Sequence, residues 1–264
     1  MQSIPSYPSS LTDEQWCLIA ELVPAFGGFG RPLVHQRRLI VDAILYVVCA
    51  GCPWRMLPHD FAPWPTVYGY FRRWRRQGIW QRIHDVLVMI VRGAAGKHTN
   101  PTAGIIDSQS VKVADQAGER GFDAGKKIRG RKRHLLVDTL GLVLAVAVTP
   151  AAVQDRAGAR LLLAFLSHCF CRLRVIWADG GYTGTLIEWL WQLRSERRIR
   201  LEIVNRLSDQ RGFQIVPKRW IVERTFGWLM KYRRLRCDYE QLTATSEAMI
   251  HIAMTRLMLR RLYP

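Results

Sequence analysis

Past residue 101 the chain changes its periodicity, and the order of its later elements leaves few folds open. Short β-branched or apolar runs at 104–107, 134–138, 142–148, 174–178 and 201–205 read as strands. Between the later ones, AGARLLLAFLSHCF and GTLIEWLWQLRSERR are amphipathic at helical period, and the basic, aromatic-rich stretch 218–234 reads as a helix. The order β, β, β, α, β, α, β, α predicts a mixed sheet flanked by helices, with a β-meander first.

Upstream the pattern is helical. Ser10 or Thr12 can cap a helix through LTDEQWCLIAELV, whose TDE start suits the positive end of the dipole, and Pro24 with GGFGRP stops it. A second helix is expected over 35–50. After the turn-rich connector GCPWRMLPHDFAPWP, a third helical run begins near Thr66 and continues to Gly93. The polar stretch GAAGKHTNP at 93–101 marks a domain boundary, giving a small all-α region 1–98 and an α/β region 99–264.

At 264 residues and 49% hydrophobic content the chain can bury a full core. Its 39 Lys and Arg outnumber 21 Asp and Glu, for a formal charge of +18. The excess runs along the whole chain rather than in one tail, so extended cationic surfaces and a polyanionic partner, nucleic acid first, are expected. Neither apolar run is long enough for a bilayer: Leu39–Cys52 contains Asp42, and Gly141–Val153 contains Pro150. The first residues lack the basic start and apolar stretch of a signal peptide, so a cytosolic or nucleoid-associated protein is expected. Six cysteines, including Cys49-Ala-Gly-Cys52 and Cys169-Phe-Cys171, lack partner pairs at zinc spacing and read as small buried thiols.

A cationic chain that places carboxylates beside its core is arranging hard oxygen ligands. Asp107 ends the run AGIID, Asp179 ends VIWAD, and Glu223 lies on the last helix with Arg219 four residues before it. Asp on rigid strands, completed by a longer Glu from a facing helix, suits two Mg²⁺ ions working on a phosphodiester. The periodicity equally allows a plainer outcome. Asp179-Gly-Gly is good turn chemistry, and a Glu among Arg residues can be a solvated ion pair.

DSQSVK at 107–112, GRKRHLLVDTLGLVLAVAVTPAAVQDR at 130–156, ADGGYTG at 178–184 and RWIVERTFGWLMKYRRL at 219–235 resemble bacterial insertion-sequence transposases of the DDE type. The similar group is the insertion-sequence-5-like class within the broad insertion-sequence-4/5 superfamily. LTDEQW and GCPWRMLPHDFAPWPTVYGYFRRW resemble the helical N-terminal region of the same proteins, so the likeness spans nearly the whole chain. The resemblance implies an RNase H-like core whose three acids fall on Asp107, Asp179 and Glu223, each both catalytic and a ligand to two Mg²⁺ (or Mn²⁺) ions. Tyr182 falls in the family's D-x-G-[YF] block. Of its Y-x2-R-x3-E-x6-K block, Arg219 and Glu223 agree, whereas Val216 stands at the Tyr position and Met230 at the Lys position, with Lys231 one residue later as a substitute. Only 44 residues separate Asp179 from Glu223, too few for the large β-rich insertion of some relatives.

Two basic stretches complete the expectation. KKIRGRKR offers Lys126, Lys127, Arg129, Arg131, Lys132 and Arg133 to DNA phosphates, its plainer reading being a solvated hairpin tip. FRRWRRQGIW offers Arg72, Arg73, Arg75 and Arg76, while Trp74 and Trp80 pack inward; a helix-turn-helix reader is weakened by the long connector before it. The histidines, His134 included, are read as structural. Asp155 reads as a helix N-cap or an auxiliary acid. The expected activity is cutting of double-stranded DNA at the element's ends and joining of the 3′-hydroxyls to target DNA, by at least a dimer on DNA. The alternatives are an RNase H-like nuclease without strand transfer and a DNA-binding protein without catalysis.

Overall fold

The computed structural model describes residues 7–25, 35–115, 117–169, 171–192, 199–204 and 218–264, with the side chains of 165–169 and 191–192 excepted. Val216 and the GGFGRP stretch therefore lie outside the described residues. The chain forms two compact units. One comprises 1–94, 229–236 and 248–264; the other comprises 95–228 and 237–247. The division does not follow a single cut near residue 98, because the C-terminal segment returns to the helical unit.

The helical unit begins with α1 (Asp13–Ile19). Thr12 Oγ accepts from the Gln15 N–H while the Gln15 side chain accepts from the Thr12 N–H, a reciprocal cap written in T-D-E-Q. The following α2 (Arg37–Ala50) buries Ile40, Ile44, Val47 and Val48, and its buried Asp42 accepts the Leu11 N–H. The helical run expected from residue 66 onward is two helices. α3 (Trp64–Arg76) and α4 (Ile79–Ala94) part at Gln77 and at Gly78, which takes a φ of 66°. Trp74 and Trp80 are buried edge to face, as their spacing suggested. The C-terminal helix α8 (Thr243–Leu262) places His251 against His84 of α4, and Gln15 donates to the Tyr263 carbonyl at 2.7 Å. These long-range contacts explain why 248–264 belongs with the N-terminal helices. No helix among the described residues is long and apolar enough to cross a membrane.

The second unit is a six-stranded mixed sheet: β1 (Ala103–Lys112), β2 (Gly121–Asp123), β3 (Ile128–Val137), β4 (Val143–Pro150), β5 (Val175–Ala178) and β6 (Arg200–Ile203). β3 lies antiparallel between β1 on one side and β4 on the other; β2 extends the β4 edge by pairing with Ile128–Gly130. β5 and β6 continue the sheet parallel to β1, giving the order β4-β3-β1-β5-β6. The crossovers run through α5 (Asp155–Cys169) and α6 (Thr185–Gln192), and α7 (Trp220–Leu229) follows β6. This is the mixed sheet with an opening meander that the periodicity required.

The structure corrects the reading of the basic run. KKIRGRKR is a turn followed by strand, and Arg131 and Arg133 are fully buried. Arg131 donates to Asp238 at 3.0 Å, to Ser246 Oγ and to the carbonyls of Glu119, Glu240 and Gln241. Buried guanidinium donors call for such partners, so Arg131 helps to hold the unit together, and neither buried arginine is placed to reach DNA. Lys132 is also buried. Lys126, Lys127 and Arg129 alone stay exposed, at the turn and the start of β3. Of the two close cysteine pairs read as buried thiols, Cys171 is exposed, and Cys49 and Cys52 are half-buried.

Candidate active site

Asp107 does not end its strand. β1 runs on to Lys112, so the acid stands at mid-strand, opposite Leu135 of β3. β5 pairs with β1 in the register Ile105 to Trp177 and ends at Ala178. Continued two residues past its last pair, that parallel register points Asp179, the residue after β5, toward Asp107, and the two lie close enough for Asp179 to raise the Asp107 carboxyl. Leaving β5, Asp179 opens a short turn and accepts the Gly181 N–H at 2.9 Å, which fixes one carboxylate oxygen.

Glu223 arrives on α7, and that helix is docked by its own aromatic and basic residues. Lys218, at φ 69°, sets its Nζ 4.1 Å from the centre of the Trp177 ring of β5. Arg224 lies between Trp220 and Trp228 at 4.5 and 4.6 Å, and donates to the Leu140 carbonyl in the β3–β4 turn. Thr225 donates to the adjacent Gly141 carbonyl. Arg219, just before the helix, then faces Asp179 at 3.6 Å and Glu223 at 3.9 Å. One guanidinium thus links the second and third acids. Glu223 is half exposed, and among the described residues no three acidic, His or Cys side chains close into a ready metal cage.

The electrostatics bear on whether a cation fits. Burial pushes the Asp107 carboxyl up to about 6; Asp179 beside it adds to the rise, while the Ser108 N–H, Arg219 and Lys126 pull the other way. A carboxylate pair that the neighbouring cations leave incompletely compensated, built of hard oxygens on rigid backbone, is the donor chemistry of a divalent cation. Tyr182, in the same turn, has its phenol raised by burial and then by Asp107, Asp155 and Asp179. It is held in the interior beneath all three.

Behind the pair lies a second set of charges that the sequence only partly signals. Asp155, the first residue of α5, does not turn back onto its own helix. Its Oδ1 accepts from Ser108 Oγ at 2.8 Å and from Lys132 Nζ at 3.1 Å. Lys132 also faces Asp123 at 3.6 Å, and Asp123 accepts from Ser110 Oγ. Lys126 reaches the Ser108 carbonyl at 3.2 Å, so this lysine of the basic run attends the acids. Alternate residues of DSQS place Ser108 and Ser110 on the same side of β1, a hint that their partners share that face. Lys231 lies beyond the end of α7, exposed, among the residues grouped with the helical unit. In that unit Arg72, Arg73 and Arg76 of α3 are exposed and Arg75 is half-buried.

A family model for the transposase DDE domain matches residues 98–258, and a model for provisional transposases of the IS4/5 family matches residues 11–84. A Burkholderia cepacia protein named provisionally as the transposase for insertion sequence element IS402 is 33% identical over 135 residues. That match covers 48% of this chain and 60% of the relative's length, so the chain spans less than two thirds of it. The uncharacterized 16.2 kDa protein of insertion element IS402, from the same organism, is 30% identical over 117 residues, covering 42% of this chain and 77% of its own length. No solved structure matches the chain.

Proposed function

The chain belongs to the DDE transposase family, with an RNase H-like core, and on that premise we propose that it cuts DNA at the ends of its insertion sequence and joins the freed 3′-hydroxyls to target DNA. The observation that supports this reading is the coupling of Asp107 to Asp179 across the ends of the β1–β5 pairing, with Glu223 linked to Asp179 through Arg219. Asp107, Asp179 and Glu223 would hold divalent cations, Mg²⁺ or Mn²⁺. When bound by carboxylates, a pair of such ions activates the attacking oxygen and neutralises charge on the scissile phosphate.

The chain's own residues account for the rest. Without a cation, Arg219 faces Asp179 and Glu223, and Arg219 with Lys126 offsets part of the cost of charging Asp107. The guanidinium, with donors in excess of those its two carboxylates use, can then meet a phosphate oxygen. Buried Tyr182 supports the Asp179 turn from below and adds no charge. Exposed Lys127 and Arg129, together with Arg72, Arg73 and Arg76 of α3, supply phosphate contacts along the duplex. Uniting two ends in one event requires at least two copies of the chain.

A nuclease of the same fold would stop after cutting. Incubating the full chain with a pre-cut element end, a target plasmid and Mg²⁺ separates the two. The expected result is covalent joining of the 3′-end to the plasmid; cleavage with no joined product assigns the chain to the nucleases.

A further inference from the structure

Asp155 carries more than a helix start requires. An Asp in the first turn is ordinarily explained by the helix dipole or by capping, yet this carboxylate is engaged elsewhere. Ser108 Oγ and the buried Lys132 ammonium both donate to Oδ1, which fixes the group from the sheet side. Oδ2 faces the Asp179 turn. A Cβ built on Gly181 would lie 3.0 Å from Asp179 Oδ1 and 4.0 Å from Asp155 Oδ2, so both acids border the same glycine. α5 can bring Asp155 so near because Gly158, one turn on, sits directly against the His134 ring: a Cβ there would fall 2.1 Å from it.

An acidic cluster alone assigns nothing, but an independent observation points to a ligand. Tyr182 is 1% exposed, and its hydroxyl, near enough to Asp107, Asp155 and Asp179 to feel their charges, has only the Ser108 side chain as a neighbouring partner and makes no hydrogen bond of good geometry. A buried hydroxyl without a well-formed hydrogen bond is costly, and the water of a hydrated cation held by the neighbouring acids would give it a partner. Ser108 joins the same set from the other end: its N–H donates to Asp107 at 2.7 Å while its hydroxyl donates to Asp155.

We propose that Asp155 is a fourth acid of the site, an outer carboxylate that adds its charge and a hydrogen-bond acceptor to the holding of a divalent cation by Asp107 and Asp179. This rests on the reading of those two as the cation-binding pair. Lys132 orients it: tied to Asp123 on its far side, the ammonium keeps Oδ1 occupied and leaves Oδ2 to the site.

The test is Mn²⁺ binding by the full chain without DNA, followed through the electron paramagnetic resonance signal of free Mn²⁺. Asp155→Asn keeps the shape and both contacts of Oδ1 while removing the charge. It is expected to weaken Mn²⁺ binding about 10-fold, the lower end of what outer partners contribute, with Asp155→Glu recovering most of the loss. Asp123→Asn, which removes an equal charge from the other carboxylate facing Lys132, is expected to change binding less than about 2-fold. Wild-type affinity in Asp155→Asn, or an equal loss in Asp123→Asn, overturns the proposal. Asp107→Asn separates the two levels: it loses Mn²⁺ binding if the acid pair is the cation site. Unchanged binding there removes that reading, and the fourth acid with it. Circular dichroism melts of each variant establish that the chain compared is folded.

Discussion

Asp107 shows how burying one carboxyl weighs against stability. Its carboxyl is pushed up to about 6 by burial and by Asp179, against an ordinary 3.8. Below about pH 4 it is protonated in folded and unfolded chains alike and costs nothing. Between about pH 4 and pH 6 the folded protein keeps a proton that the unfolded chain releases, so stability falls as pH rises through this window. Above it the full penalty remains. That penalty is about 3 kcal/mol. In the absence of divalent cation, Asp107→Asn should therefore melt with the wild type at pH 4 and several degrees above it at pH 7.5. Added Mg²⁺ should close the gap by stabilising the wild type alone. A variant less stable than wild type at pH 7.5 would show that the buried charge is already compensated.

At the level of elements, β3 and α5 decide where the acids sit. Arg131 and Arg129 are two residues apart in one basic run, yet one is buried against Asp238 and the other is exposed. Removing one partner of a buried pair costs roughly 3–5 kcal/mol. Arg131→Ala should thus lower the urea midpoint of the sheet unit steeply, while Arg129→Ala should leave it unchanged and weaken DNA binding instead. Gly158→Ala forces α5 off His134, an overpacking cost of about 3 kcal/mol, visible in the same denaturation experiment. The strands themselves are legible because a period of two and β-branched runs mark half-buried and buried strands directly. The basic run misleads for a physical reason. Charge density suggests solvent, and nothing local says that Asp238, Ser246 and three carbonyls from distant segments will enclose one guanidinium. Likewise Asp107 resembles a strand end because the polar residues after it, Ser108 to Ser110, interrupt the apolar run while their backbone keeps pairing with β3. The fused helix 66–93 comes from strong amphipathicity on both sides of Gly78, whose left-handed backbone ends one helix before the next begins.

For the molecule as a whole, the order of Asp107, Asp179, Arg219 and Glu223 comes from the family resemblance, because the local signals beside them, a strand, a turn and a helix, equally allow a plain turn and a solvated ion pair. Asp123, Lys132 and the serines of β1 cannot be anticipated, because their meeting depends on the register of β1, β2 and β3. The return of 248–264 to the helical unit is equally hidden, being a matter of packing between segments far apart in sequence. The charge of +18 does carry a prediction at this scale. Affinity for duplex DNA should fall linearly in log–log terms with salt. Replacing Arg72, Arg73 and Arg76 by Ala should weaken binding to all sequences alike and lower the slope by about one for each phosphate no longer neutralised. An unchanged slope in fluorescence-anisotropy titrations would remove α3 from the DNA surface.

Asp107, Asp179 and Glu223 stand or fall together as one catalytic set. Mg²⁺-dependent cleavage of a supercoiled plasmid carrying the insertion sequence's own ends decides it, with the wild type compared against Asp107→Asn, Asp179→Asn and Glu223→Gln. Residues acting as a unit should each cost about as much as all three together, a loss on the order of 10³-fold or more with DNA binding retained. Cleavage at the wild-type rate by any of the three variants would break the set.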